Sequence, residues 1–185
     1  MSRGRVYWFT GLSGAGKSTI AQGVKRWLEK EKKKVILLDG DTIRSKSNKH
    51  LSFSSKDILE NNAFITRLCL QCQSQYDYIL VSVISPYLQS RQEARRMIGR
   101  NYYEVFVQAS LDEVIKRDVK GMYKKALKGE IKNFIGFDPD TPYEPPKHPE
   151  ITLDTEAEDA SKSIQKVIDF MVQEEEAQKY DHNPA

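Results

Sequence analysis

A doubly wound α/β fold, built on a parallel sheet of five strands, is what the sequence predicts. Five short apolar runs alternate with stretches of helical periodicity. Each run is apolar throughout, as strands are when helices cover both faces of a parallel sheet. The length of 185 residues suits one domain of common size, with room for a proper core but not for two independent folds. Residues 1–176 are read as that domain, and residues 177–185 as a frayed tail without periodicity.

Val6-Tyr7-Trp8-Phe9-Thr10 is the first strand. A Gly-rich stretch joins it to a helix over residues 18–30, where Ile20, Ala21, Val24, Trp27 and Leu28 recur along one face. Val35-Ile36-Leu37-Leu38 is the second strand and ends at Asp39-Gly40-Asp41. A helix over about residues 54–75 places Ile65, Leu68, Cys69 and Cys72 on one side, with Ser54 as its N-cap and Asp57 three positions on. Residues 78–84 form the third strand, 89–100 a helix, 103–107 the fourth strand and 151–153 the fifth. The last helix spans about residues 157–175, with Ile164, Val167, Ile168, Met171 and Val172 at helical spacing. Trp8 and Trp27 are expected in the core.

Residues 118–150 break the alternation: they are polar and rich in Lys, Gly and Pro. A connection this long inside a compact domain is functional or disordered. From 116 to 132 it carries seven basic residues (116, 117, 120, 124, 125, 128, 132) against two acidic ones (118, 130). Such a run is either a solvated face or a mobile lid over an anionic ligand.

Composition narrows the function classes. No apolar run approaches the about 18 residues that cross a bilayer, and the N-terminus has no signal-peptide core, so a cytoplasmic protein is expected. The net charge, 29 − 26 = +3, is too mild to imply nucleic-acid binding. The basic residues gather in one segment, and residues 154–176 carry eight Asp or Glu against two Lys, so no continuous basic stripe is evident. Two cysteines make no disulfide framework. Cys69-Leu70-Gln71-Cys72 is half a zinc site at most, and core packing is its expected role. His50, His148 and His182 are scattered and carry no assigned role.

Gly11-Leu12-Ser13-Gly14-Ala15-Gly16-Lys17-Ser18 matches G-x-x-x-x-G-K-[ST] in full, after a strand and opening a helix. Its glycines permit backbone angles that turn N–H groups onto phosphate oxygens, and the helix N-terminus adds a favourable dipole. Lys17 is expected to reach the β- and γ-phosphates of ATP, and Ser18 to ligate Mg²⁺. A P-loop kinase type of sheet follows. The third strand lacks the metal-holding Asp of larger NTPases, and the small size and basic insertion suggest a kinase for a small molecule.

The second strand delivers Asp39-Gly40-Asp41 to the carboxyl edge of the sheet, with Arg44 three residues on. Two carboxylates beside a triphosphate can hold Mg²⁺ or take a proton from an acceptor hydroxyl; alternatively the tripeptide is a turn. Asp41 is the better base, because Arg44 can hold an anionic acceptor nearby, and Asp39 joins Ser18 as a metal candidate. The third strand delivers Ile84-Ser85-Pro86-Tyr87, with Arg91 following. Pro86 ends the strand. Ser85 either hydrogen-bonds a phosphate or acceptor, or caps the next helix.

On these motifs the chain resembles the adenylylsulfate kinase family from Trp8 to about Ile151. The lid adds Arg117-Asp118-Val119-Lys120-Gly121-Met122-Tyr123-Lys124-Lys125-Ala126, Gly129-Glu130-Ile131-Lys132-Asn133-Phe134-Ile135-Gly136, Tyr143-Glu144-Pro145-Pro146 and Pro149-Glu150. The resemblance implies transfer of the ATP γ-phosphate to the 3′-hydroxyl of adenosine 5′-phosphosulfate. It implies a nucleotide-binding set of Gly11, Ser13, Gly14, Ala15, Gly16, Lys17, Ser18 and Thr19, with Arg117 near the ATP base. Asp41 would lie nearest the acceptor hydroxyl. Arg44 and Asn61 would contact the acceptor nucleotide, Ile84, Ser85 and Pro86 would border it, and Phe53 and Phe134 would stack on its base. Lys120 would reach the phosphates as the lid closes and excludes water. Ser85 matches a position labelled a phosphoserine intermediate in the family, a label that direct in-line transfer does not need. Homodimers are also a family expectation.

The chain departs from the family run F-S-x-x-D-R-x-E-N-I-R-R. Ile58 stands where the family has Arg, and Asn62-Ala63-Phe64 stand for Ile-Arg-Arg. Losing a guanidinium removes a charge-assisted anion contact worth about 1.5–3 kcal/mol. Either Lys56 or Arg67 substitutes, or the acceptor differs. The family includes a 3′-hydroxyl kinase of cytidine diphosphoramidate in capsule modification, whose acceptor ends in an uncharged P–N group. A non-catalytic nucleotide-binding module is a third reading, opposed by the retained Lys17, Ser18, Asp41 and basic lid.

Overall fold

The computed structural model describes residues 3–47 and 53–181. Its strands are β1 (Arg5–Thr10), β2 (Val35–Asp39), β3 (Tyr78–Ser82), β4 (Tyr102–Gln108) and β5 (Ile151–Asp154). All pair in parallel, in the order β2-β3-β1-β4-β5. β1 pairs with β3 from Arg5↔Tyr78 to Phe9↔Ser82 and with β4 from Val6↔Tyr102 to Thr10↔Phe106. The carboxyl ends of the three central strands therefore share one edge, the place where such sheets bind ligands.

Seven helices accompany the strands among the described residues: α1 (Lys17–Lys30), α2 (Gly40–Lys46), α3 (Ser55–Cys72), α4 (Leu88–Ile98), α5 (Leu111–Arg117), α6 (Met122–Leu127) and α7 (Ala160–Asp181). Side chains of β1 alternate between two cores, as strand geometry demands. Val6 and Trp8 join Ile65 and Cys69 of α3 and Ala94 and Ile98 of α4. Tyr7 and Phe9 join Ile20 and Val24 of α1 and Val167 and Met171 of α7. Tyr7 stacks on Tyr103 at 4.9 Å, and Phe170 meets Tyr103 edge-on at 5.8 Å. Each such buried side chain contributes about 1.5–3 kcal/mol.

Several sequence expectations are corrected. Asp39-Gly40-Asp41 opens α2 rather than making a bare turn: the Asp39 carboxylate accepts from Thr42 N at 3.0 Å and Thr42 Oγ1 at 3.1 Å, an N-cap. The connection after β4 contains α5 and, inside the lid, α6. The Asp118 carboxylate accepts from the Tyr123 and Lys124 N–H groups, both at 3.0 Å, and so starts α6. β4 is not apolar throughout, because Glu104 is buried there against Arg91 of α4 at 2.7 Å. β3 stops at Ser82, since Ser85 turns to φ +47° ahead of Pro86. α7 starts later than expected: Asp154 holds a turn by accepting from Glu156 and Ala157, and Asp159 then accepts from Lys162 N at 2.8 Å. It also runs on through Asp181, past the expected end of the domain, because Gln178 accepts from Arg5 at 2.7 Å and donates to Tyr103 Oη at 2.9 Å. Residues 182–185, and with them His182, lie outside the described residues, as does His50.

Ser54 caps α3, accepting from Asp57 N at 3.2 Å. Trp8 is buried, and Trp27 is partly buried against the core. Cys69 is buried and Cys72 half-buried, both free, and burial pushes the Cys69 thiol well up. Among the described residues no helix is long and apolar enough to cross a membrane.

Candidate active site

The loop after β1 is shaped by close approach. A Cβ on Gly11 would stand 2.3 Å from Val107 O of β4, so only glycine fits. Gly14 and Gly16 take φ values of +81° and +106°, the left-handed region. Gly16 stands at the N-cap of α1 with no side-chain cap, leaving the helix's first N–H groups for a ligand. Lys17 follows, buried, with Nζ donating to Gly11 O at 2.9 Å and Leu12 O at 2.7 Å. Burial, helped by the Lys120 charge, pulls its ammonium down to about 7. An anion arriving at the loop would restore the charge.

Beside Lys17, Ser18 Oγ donates to Asp39 Oδ2 at 3.0 Å and stands 3.0 Å from Ser82 Oγ. Three oxygen donors from α1, β2 and β3 thus meet at the phosphate cradle. Such hard, small ligands fit Mg²⁺, which takes few protein oxygens and keeps its waters and phosphates.

One cavity of about 160 Å³ opens beyond these groups. Of the catalytic, nucleotide-binding and acceptor-binding residues that the resemblance implies, all line it except Gly11, Ala15, Arg117 and Phe134. Asp41, in the first turn of α2, forms an ion pair with Lys120 of the lid. Arg44 lies over the Phe53 ring at 4.7 Å. Ser13, Gly14 and Thr19 form the cradle side; Asn61 of α3 and Ile84, Ser85 and Pro86 form the opposite wall. Ser82, Val83, Val119 and Ile135 also line it and were missed in the sequence. Ser82 had a signal, a hydroxyl at the carboxyl end of an apolar strand; the other three are apolar and had none.

The excepted residues have clear placements. Arg117 is pinned beside the cradle: its guanidinium donates to Glu113 at 2.9 Å and to Thr155 O at 2.6 Å, while Thr155 Oγ1 donates to Ala15 O at 3.0 Å. Phe134 is not a cavity wall. It is buried edge-on against Tyr123 at 4.8 Å, and Tyr123 Oη donates to Ser13 O at 3.0 Å. The structure therefore brings Phe53 to the cavity and holds Phe134 in the core beneath the lid. Ser85 does not cap α4, whose N-cap is Tyr87. It is buried, with its hydroxyl 3.4 Å from Ser90 Oγ.

Arg91 ties the far wall together. Its guanidinium donates to Ser85 O and to Glu144 O, both at 2.5 Å, and pairs with buried Glu104. Glu144 N donates to Pro86 O at 2.8 Å, and Leu88 N donates to the Glu144 carboxylate at 2.6 Å. The lid's last turn is thus fastened to the loop after β3.

The sequence profile of the Adenylylsulphate kinase family matches residues 3–154. The chain belongs to the adenylylsulfate kinase family. It is 39% identical over 171 residues to the adenylyl-sulfate kinase of Clostridium acetobutylicum, covering 92% of this chain and 84% of that one. It is 45% identical over 171 residues to that of Synechococcus sp. (strain JA-3-3Ab), covering 92% and 93%. The APS kinase of Mycobacterium tuberculosis, solved in complex with AMPPNP and APS, superposes with a TM-score of 0.85 at 36% identity, over 92% of this chain and 99% of that one. The family makes the chain an ATP-dependent kinase with a hydroxyl acceptor. Two of its departures from the family pattern, Ile58 and Asn62, fall on the cavity wall, whereas Ala63 and Phe64 do not line it. Ile58 is 2% exposed and Asn62 2% exposed, one helical turn apart on α3, and both line the wall. Lys56 and Arg67 lie on the exposed side of α3 and do not reach it, so neither replaces the missing arginine.

Proposed function

We propose that this kinase transfers the γ-phosphoryl group of ATP to the 3′-hydroxyl of adenosine 5′-phosphosulfate. The observation that carries the reading is the convergence of Lys17, Ser18, Asp39 and Asp41 on one cavity closed by Lys120. Lys17 and the open N-terminus of α1 bind the phosphates. Ser18 and Asp39 are the residues that would hold Mg²⁺, which when bound neutralises charge on the β- and γ-phosphates. Arg44 and Phe53 position the acceptor. Asp41 takes the proton of the 3′-hydroxyl while its oxygen bonds the γ-phosphorus and the bond to the β-phosphate oxygen breaks. Lys120, released from Asp41, turns its charge to the phosphates. Ser85 needs no covalent role in such a transfer. Family membership supports a homodimer in the cytoplasm as well; a monomer by light scattering would remove that assembly.

A second reading has one observation in its favour. The cavity wall at Ile58 lacks a guanidinium, which suits an acceptor without a sulfate, such as cytidine diphosphoramidate. Steady-state ADP release with adenylylsulfate and with cytidine diphosphoramidate, each over a concentration series, decides between them. A large kcat/KM advantage for adenylylsulfate is the expected result. The reverse preference overturns the first reading, and no ADP with either overturns both.

A further inference from the structure

Asn62 is buried and lines the cavity, yet its Oδ1 has no hydrogen-bond partner. A buried, unpaired amide oxygen is costly, so its orientation matters. Ser90 Oγ donates its single hydrogen to Tyr87 O at 2.9 Å. Toward Asn62 it can only accept, and Asn62 Nδ2 donates to it at 3.3 Å. This chain of donors fixes the carboxamide: its nitrogen is held toward Ser90, and its oxygen is left buried and unpaired in a residue of the cavity wall. One turn earlier on the same helix stands the butyl group of Ile58. The α3 wall therefore carries an unpaired, buried acceptor beside an apolar side chain.

We infer that Asn62 is a specificity-determining residue whose amide oxygen accepts a hydrogen bond from an N–H or O–H group of the acceptor nucleotide. The inference rests on the kinase reading above and adds the chemistry of the substrate's α3-facing side. A sulfate has only acceptor oxygens and would meet an acceptor here, so it gains nothing from this wall. A ribose hydroxyl, a base amine or an amino group on a terminal phosphorus each satisfies Oδ1. A site built to accept a hydrogen bond discriminates strongly against ligands that lack the donor.

The test is calorimetric titration of the full chain with two acceptors that share one nucleoside, adenosine 5′-phosphosulfate and adenosine 5′-diphosphoramidate. Asn62→Leu keeps the branched shape and removes the oxygen. Ser90→Ala is a smaller change that frees the carboxamide from its anchor. Asn62→Leu is expected to weaken at least one nucleotide tenfold or more, with ATP-analogue affinity unchanged as a check on the fold. Ser90→Ala should weaken the same nucleotide by less. Loss on both nucleotides places the donor on the nucleoside; loss on the amino nucleotide alone places it on the terminal group. Unaltered affinity of both variants for both nucleotides, or no binding of either by the parent chain, overturns the inference. Because binding is read without turnover, a failure of the proposed reaction remains distinguishable from a failure of this contact.

Discussion

Lys17 shows how far burial can alter one residue. Its ammonium is held down to about 7 first by desolvation and then by Lys120, against 10.5 for a free lysine. Between those values the unfolded chain holds a proton that the native state does not, so stability rises with pH. Below about 7 both states are protonated and the cost of the buried charge is fully present. Thermal unfolding of the nucleotide-free protein and of Lys17→Met should show the variant ahead near pH 6.5, with the gap closing toward pH 10. A pH-independent gap would contradict the shift. Nucleotide binding near pH 8 should also take up a proton, visible as a buffer-dependent binding enthalpy. At Asp41 the question is chemistry. Asp41→Asn should lower kcat by about 10²–10⁴-fold, the usual worth of a general base, while ATP affinity holds. Unchanged kcat in single-turnover assays would remove Asp41 as the base.

At the level of elements, the joint between α4, β4 and the lid depends on one buried charge pair. Arg91 and Glu104 sit in the sheet's shadow, and burial pushes the Glu104 carboxyl up despite two nearby arginines. Removing one partner strands the other charge. Arg91→Met should therefore cost about 3–5 kcal/mol, whereas Arg91→Met with Glu104→Leu should recover much of it. Denaturant unfolding of the two singles and the double checks this, and additive losses would show that the pair is not coupled. This joint also marks a limit of sequence reading. The run around Glu104 reads as a strand from the sequence, but that its one Glu is buried in the sheet is legible only once the neutralising cation is known, and Arg91 comes from a different element. The helix α2 escaped for a related reason: Asp39-Gly40-Asp41 carries equal signals for a turn and for a cap, and only the Asp39 to Thr42 bond decides.

For the whole molecule, size sets the logic of opening. The cavity of about 160 Å³ is below the about 300–1,000 Å³ of pockets that enclose a drug-sized ligand, and lid movement is therefore expected to make room for two nucleotides. Its outer latch is weak. Lys120 and Asp41 are 53% and 73% exposed, and such pairs contribute about 0–1 kcal/mol. Its inner end is firm, with Tyr123 and Phe134 buried under the cradle. The segment between Asp118 and Gly121, at φ +29° and +65°, is the natural place to give. Trypsin should thus cut the free protein first within residues 116–132, and ATP with an acceptor should slow that cleavage. Equal rates with and without ligands, read by mass spectrometry, would argue against a moving lid.

The sequence by itself determined the sheet and the phosphate cradle. Both depend on local rules: strands buried on two faces read as apolar runs, and a loop that must approach β4 and wrap phosphates needs glycines at set spacing. It also marked Ile58 and Asn62 as departures, but not what they face. Only the tertiary structure decided that Phe134 packs on Tyr123 instead of lining the cavity. It also carried α7 on to Asp181 through Gln178, and left the Asn62 oxygen buried at the cavity wall without a partner. Each of these depends on groups distant in the chain meeting in space, where burial and the supply of hydrogen-bond partners, rather than local propensity, set the outcome.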